Sequence, residues 1–266
     1  MSLARPLAAA NPFCLGVALL AGCATAPETG RSQVLLVSTA DEARLGFQAF
    51  EKLKQNKPQV RGGKDWKMLQ RVGKRIADVT RLPYAKWEFV LFKDDRNANA
   101  FALPGGKVGI YTGILPITRD EAGLATVIGH EVAHAAARHG AERLSHSLLI
   151  QLGGTALSAA LGSSSPATRD LALQAYGIGT SLGVALPYSR TQELEADRLG
   201  LLYMARAGYD PAAAVQFWQR FAEYSRRRGG RPPEFLSTHP LDQRRIASIQ
   251  AQLPRARAEY RRVTKG

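Results

Sequence analysis

GHEVAHAAARH, residues 129–139, holds three of the chain's five histidines, His130, His134 and His139, with Glu131 beside the first. On a helix, positions four apart lie on one face, so His130 and His134 present two imidazoles to a single point. This is the pattern H-E-x-x-H, in which two histidines hold zinc and the glutamate acts as general base toward water. Zinc brings the pKa of a water it polarises down to about 7, so the chemistry runs at neutral pH. The flanks agree. Leu124, Ala125, Val127, Ile128, Val132 and Ala133 make the helix apolar nearly all round, so it is expected to be buried. Buried imidazoles and carboxylates need partners, and a metal provides them. Asp120 is the expected N-cap of a helix that runs on to about Leu149.

A catalytic zinc normally takes three protein ligands. His139 is a tempting third. The pattern H-E-x-x-H-x-x-G-x-x-H needs glycine at 137 and histidine at 140, where this chain has Ala137 and Gly140. With no glycine turn the helix is expected to continue, which points His139 about 140° away from His134 around the axis. That assigns His139 a structural or surface place. SRTQELEADRLG at 189–200 offers another solution. Glu193 and Asp197 share one helical face, and Glu195 points elsewhere. A glutamate ligand followed one turn later by an aspartate that holds the free ring nitrogen of a liganding histidine is the gluzincin arrangement.

The N-terminus reads as a leader. Arg5 precedes an apolar run at 13–22 that is too short for the ~20 residues of a membrane-spanning helix. Leu20-Ala21-Gly22-Cys23 resembles the bacterial lipoprotein box, which makes 1–22 a signal peptide and Cys23 a lipid-modified first residue. Cys14 leaves with the signal, so no disulfide or cysteine metal site remains. Ala24, rather than aspartate, favours the outer membrane by resemblance to sorted lipoproteins. The formal net charge of +14 suits a polyanionic partner. Export argues against nucleic acid and for anionic lipid, lipopolysaccharide or cell-wall polymer.

Residues 23–40 read as a lipidated tether and lead-in segment, 41–253 as the main domain, and 254–266 (PRARAEYRRVTKG) as a basic, solvated tail. Helical spacing runs from Asp41 to Thr80 with a break at Arg61-Gly62-Gly63. WEFVLFKD at 87–94 reads as a strand. Pro104-Gly105-Gly106 reads as a turn into a second strand, KVGIYTG. Residues 147–187 are small and apolar and read as a pair of buried helices, or as a mobile cover or membrane-touching element. A polar helix spans about Arg190–Arg206, and Asp210-Pro211 caps the next.

HEVAH followed by ELEAD, together with NAFALPGGKVGIYTGIL at 99–115, AGYDP, THP at 238–240 and Arg245-Ile246, resembles the HtpX-like and CAAX-prenyl-protease-type zinc metallopeptidases, most closely their soluble periplasmic lipoprotein members. The resemblance covers residues 31–252. It implies an α+β, predominantly helical gluzincin metallopeptidase domain with a small β-sheet whose edge strand faces the active-site cleft. It implies one zinc per chain held by His130, His134 and Glu193, with Asp197 behind them and Glu131 as the base. Lys107, Val108, Gly109 and Ile110 are expected to be the edge with which an extended substrate pairs. His239, in the THP segment, is expected to reach the metal, as a fourth ligand that closes the resting site or as an oxyanion stabiliser. The expected activity is hydrolysis of misfolded or misassembled envelope proteins in the periplasm of a Gram-negative bacterium. Two alternatives stand beside it. One is a zinc-stabilised chaperone or assembly lipoprotein with little turnover. The other is a lipoprotein that binds anionic cell-wall polymer or lipopolysaccharide.

Overall fold

The computed structural model describes residues 23–265 apart from 27, 81, 83, 161, 163–164, 166–188, 230–231 and 242. The leader and most of the second half of the apolar 147–187 segment lie outside the described residues.

The chain enters as a small antiparallel ribbon, β1 (Cys23–Thr25) and β2 (Ser32–Val34), with Cys23 opposite Val34. Two helices follow, α1 (Thr39–Asn56) and α2 (Gly63–Val79), separated by β3 (Gln59–Val60). β4 (Glu88–Phe92), β5 (Ala100–Leu103) and β6 (Lys107–Tyr111) complete a four-stranded sheet of order β3-β4-β6-β5. β4 and β6 are parallel, and the other pairs are antiparallel. α2 lies close on this sheet, because Gly73 has no Cβ to meet the Phe89 ring.

This topology corrects one expectation. Lys107–Ile110 is not an edge. β6 is an interior strand, buried along its whole length, with β4 on one side and β5 on the other. Val108 and Ile110 are core residues, and the Lys107 ammonium bonds to Glu88 and the carbonyl of Lys86. The outer strands are β3 and β5, and the one that lies against the H-E-x-x-H helix is β5, from the AFAL segment before the turn. Its four residues are too short and mixed to register as a strand by pattern alone.

The short helix α3 (Leu115–Thr118) leads to α4 (Glu121–Ala136), which carries H-E-x-x-H. Asp120 caps α4 as expected, accepting from the Gly123 N–H. Every residue of α4 from Gly123 to His134 is buried. The helix then stops. Arg138 takes the left-handed conformation at φ 57°, and α5 (His139–Ala160) starts in a new direction. A non-glycine residue there carries strain. It is held by the Arg138 guanidinium, which bonds the Glu42 carboxylate and the Val37 carbonyl. The expected single helix to Leu149 is therefore two helices. The described first half of the 147–187 segment, on α5, is not a buried helix either, with Leu152 64% exposed.

α6 (Arg190–Arg206) opens on a capping box between Ser189 and Gln192, and α7 (Ala212–Arg228) follows. α8 (Glu234–Thr238) ends at His239, and α9 (Gln243–Thr264) closes the chain. The expected solvated tail is thus helix. Ala256 is buried and Tyr260 packs on the core, so 254–264 has an apolar face under its arginines. α4 sits at the centre, packed by α2, α6 and α7, with β5 alongside. α4 and α6 touch backbone to backbone at Gly129 and Gly200, where a Cβ on either would lie 2.9 Å from main-chain atoms of the other. Among the described residues no helix is long and apolar enough to cross a membrane.

Candidate metal centre

The close α4–α6 crossing sets the geometry. His130 and His134 project from one face of α4 toward Glu193, in the first turn of α6. One donor atom from each of His130, His134, Glu193 and His239 falls within 4.8 Å of the other three, and all four residues are buried. The His130 and His134 Nε2 atoms are 3.1 Å apart. Glu193 Oε1 lies 3.2 Å from His134 Nε2 and 2.9 Å from His239 Nδ1. His239 Nδ1 is also 3.3 Å from His130 Nε2. Ring nitrogens and a carboxylate aimed at one point, all on buried residues, are a donor set suited to zinc.

The outward sides of the ligands are engaged. His130 Nδ1 is 3.0 Å from Asp197 Oδ1. Arg245, 1% exposed, bonds both Asp197 oxygens at 2.8 Å, reaches Glu193 Oε2 at 2.6 Å and the Pro240 carbonyl at 3.0 Å, and lies 4.4 Å from the Trp218 ring centroid. Burial works against a charge on His130, but its hydrogen bonds to Asp197 and Glu193 outweigh that and push it up to about 9. Burial raises the Glu193 and Asp197 carboxyls too. It is outweighed by the histidines at Glu193, which is held well below the usual range, and by Arg245 at Asp197, which is held below it. His134 moves the other way, because burial dominates and drives it well below its ordinary value.

Glu131 stands on the β5 side. The Ala102 N–H, on that edge of the sheet, donates to Glu131 Oε2 at 3.2 Å, and Oε1 lies 3.3 Å from His239 Nε2. Burial raises the Glu131 carboxyl, as suits a base.

The structure therefore brings together His130, His134, Glu131, Glu193, Asp197 and His239. It leaves Lys107, Val108, Gly109 and Ile110 one strand away, in the sheet interior. It also corrects the placing of His139. Because α4 breaks at Arg138, His139 turns back under the site instead of continuing around the axis. It is fully buried, with Nδ1 2.8 Å from His134 Nδ1 and Nε2 3.0 Å from Glu195 Oε2. Sequence reasoning missed Glu195 and Arg245 as well. The E-L-E alternation did carry a signal, since it puts Glu195 on the opposite side of α6 from Glu193, where His139 comes in. Nothing local distinguishes Arg245 from Arg244.

The chain matches a family model, Peptidase family M48, over residues 64–253. It is 38% identical to the mitochondrial metalloendopeptidase OMA1 of Schizosaccharomyces pombe over 191 residues, 72% of this chain and 54% of that protein. It is 29% identical to the beta-barrel assembly-enhancing protease of Escherichia coli (strain K12) over 229 residues, 85% of this chain and 46% of the relative. A putative beta-barrel assembly-enhancing protease of Vibrio cholerae is 32% identical over 227 residues, 83% of this chain and 46% of the relative. The chain spans about half the length of these curated relatives.

Proposed function

The chain belongs to peptidase family M48, and on that premise we propose that it is a zinc-dependent endopeptidase of the bacterial cell envelope. The observation that carries this is the buried convergence of His130, His134 and Glu193 with a carboxylate, Glu131, placed beside them and bound by a sheet edge. A purely structural metal site has no use for that carboxylate. When bound, zinc supplies Lewis acidity toward the scissile carbonyl and acidifies water.

The protein's own groups do the rest. His130, His134 and Glu193 hold the ion, and Asp197 with Arg245 fixes the His130 ring. Glu131 takes the proton from the attacking water and passes it to the leaving amine. The Ala102 N–H orients that carboxylate. An extended substrate pairs with β5, not β6, through main-chain hydrogen bonds that tolerate many side chains. His239 takes the place of a fourth donor and at the same time touches Glu131, so the arrangement reads as a closed resting site.

We place the enzyme in the periplasm, anchored to the outer membrane through lipidated Cys23, as one of the family's soluble lipoprotein members. Its substrates are misfolded or misassembled envelope proteins, a reading supported by the names of the Escherichia coli and Vibrio relatives. The test is cleavage of casein by the full chain. Activity is expected to be lost with a chelator and restored by zinc. Glu131→Gln is expected to lower turnover by roughly 10²–10⁴-fold while the metal stays bound. Zinc bound with no cleavage in the wild type would instead favour an assembly lipoprotein with little turnover.

A further inference from the structure

Each metal-binding imidazole needs its second nitrogen protonated and held, so that the first offers a lone pair. For His130 the partner is the Asp197 carboxylate. For His134 the partner is another imidazole, and the proton positions along that contact follow from the chemistry. An ionised carboxylate only accepts hydrogen bonds. Glu195 Oε2, 3.0 Å from His139 Nε2, therefore requires the proton on His139 Nε2. In the tautomer with that single ring proton, the lone pair of His139 is on Nδ1. The 2.8 Å contact between the two Nδ1 atoms needs one proton between them, and a His134 that ligates through Nε2 supplies it. His134 is left with its lone pair on Nε2, the atom that faces His130 Nε2 and Glu193.

Glu195 is in turn held from outside the two catalytic helices. Arg31, in the turn between β1 and β2, donates from Nε to Glu195 Oε2 at 2.6 Å. Its two terminal nitrogens bond the two Glu142 oxygens at 2.7 Å each. Gln192 Nε2 donates to the same Glu142 at 2.6 Å, and Thr29 donates to Glu195 Oε1. A forked, charge-assisted contact of this kind fixes orientation as well as distance.

We infer that His139 and Glu195 are positioning residues that fix the tautomer of His134, and that the N-terminal ribbon completes this support through Arg31. The inference rests on the metal assignment proposed above. It makes the N-terminal ribbon part of the metal site's scaffold, and it gives the third histidine of GHEVAHAAARH a function.

The test is zinc affinity of the full chain, by competition with a chromophoric chelator, alongside the visible spectrum of the cobalt-substituted protein. His139→Leu removes the acceptor for His134 and is expected to weaken zinc roughly 10–100-fold. In His139→Asn the side-chain oxygen can take the place of Nδ1, so affinity is expected to stay near that of the wild type. Arg31→Met, which leaves both histidines in place, is expected to weaken zinc by less than His139→Leu and to broaden the cobalt spectrum. Thermal unfolding of the zinc-stripped variants scores folding separately. If His139→Leu does not fold, the Asn and Met variants carry the test. Wild-type affinity in His139→Leu, or in Arg31→Met when the Leu variant does not fold, overturns the inference and leaves the metal assignment standing. His139→Asn as weak as His139→Leu overturns it too. A wild-type chain that binds no zinc overturns both.

Discussion

Arg245→Met is the substitution whose cost the structure allows to be worked through. The guanidinium sits 1% exposed between Asp197 and Glu193, and both carboxylates are buried. Methionine fills much of the volume over Trp218 but leaves two anions with only His130, His134 and His239 as partners. Removing one member of a buried ion pair costs about 3–5 kcal/mol, because the survivor keeps its desolvation penalty. For a domain of this size that corresponds to a fall in Tm of roughly 6–20 °C. Calorimetry of the zinc-stripped protein reads it directly. Zinc, which neutralises Glu193, is expected to recover part of the loss. A second substitution separates charge from packing. Asp197→Asn keeps an acceptor for His130 Nδ1 but removes one anion, so the double variant is expected to lose less than the sum of the singles, by about 0.5–3 kcal/mol. Strict additivity, or a single-variant loss under about 1 kcal/mol, would refute the claim that Arg245 neutralises the floor of the site.

Gly200→Ala puts a Cβ 2.9 Å from the main-chain nitrogen of His130. It is expected to cost about 1–3 kcal/mol and to lower zinc affinity by parting α4 from α6, and an unchanged Tm would mean the crossing is looser than described. His239→Ala is expected to raise basal casein turnover several-fold by opening the site. A comparable fall would move His239 to the oxyanion, and no change would remove it from the mechanism. Burial raises the Glu142 carboxyl, but hydrogen bonds from Arg31 and Gln192 outweigh it and hold the carboxyl below its ordinary 4.5. A depressed acid stabilises the fold above its unfolded pKa and loses that contribution as pH falls toward the folded value. Protease protection of residues 23–34 is therefore expected to hold above pH 4.5 and decline below it. In Arg31→Met the decline should be absent, and a wild-type chain equally protected at pH 3 would count against the Arg31 clamp.

How far the sequence carried differs from residue to residue. His130, His134, Glu193 and Asp197 were legible because each pair lies within one helix, where four-residue spacing fixes the shared face. The Asp120 cap and the Arg190–Arg206 helix were legible for the same local reason. The edge strand was misplaced because which strand lies outermost is settled by pairing between strands. KVGIY is interior because β4 and β5 pair with its two sides. The tail was misread because its arginines hid an apolar face, Ala256 and Tyr260, that packs on the core. His139 was set aside by sound helical geometry applied to a helix that does not continue. No glycine marks the break at Arg138, and the Glu42 carboxylate and Val37 carbonyl that hold it come from a distant part of the chain.

By itself the sequence determined the type of chemistry. Two histidines, two carboxylates and a base at helical spacing are local facts that follow from the 3.6-residue turn. Tertiary structure decided what surrounds them: that β5 faces Glu131, that His239 and Arg245 close over Glu193, and that Arg31 and Glu195 stand behind His139. Those contacts join residues far apart in the chain. They depend on how closely α4 and α6 approach at two glycines and on which buried charges must be paired, and no single segment encodes either.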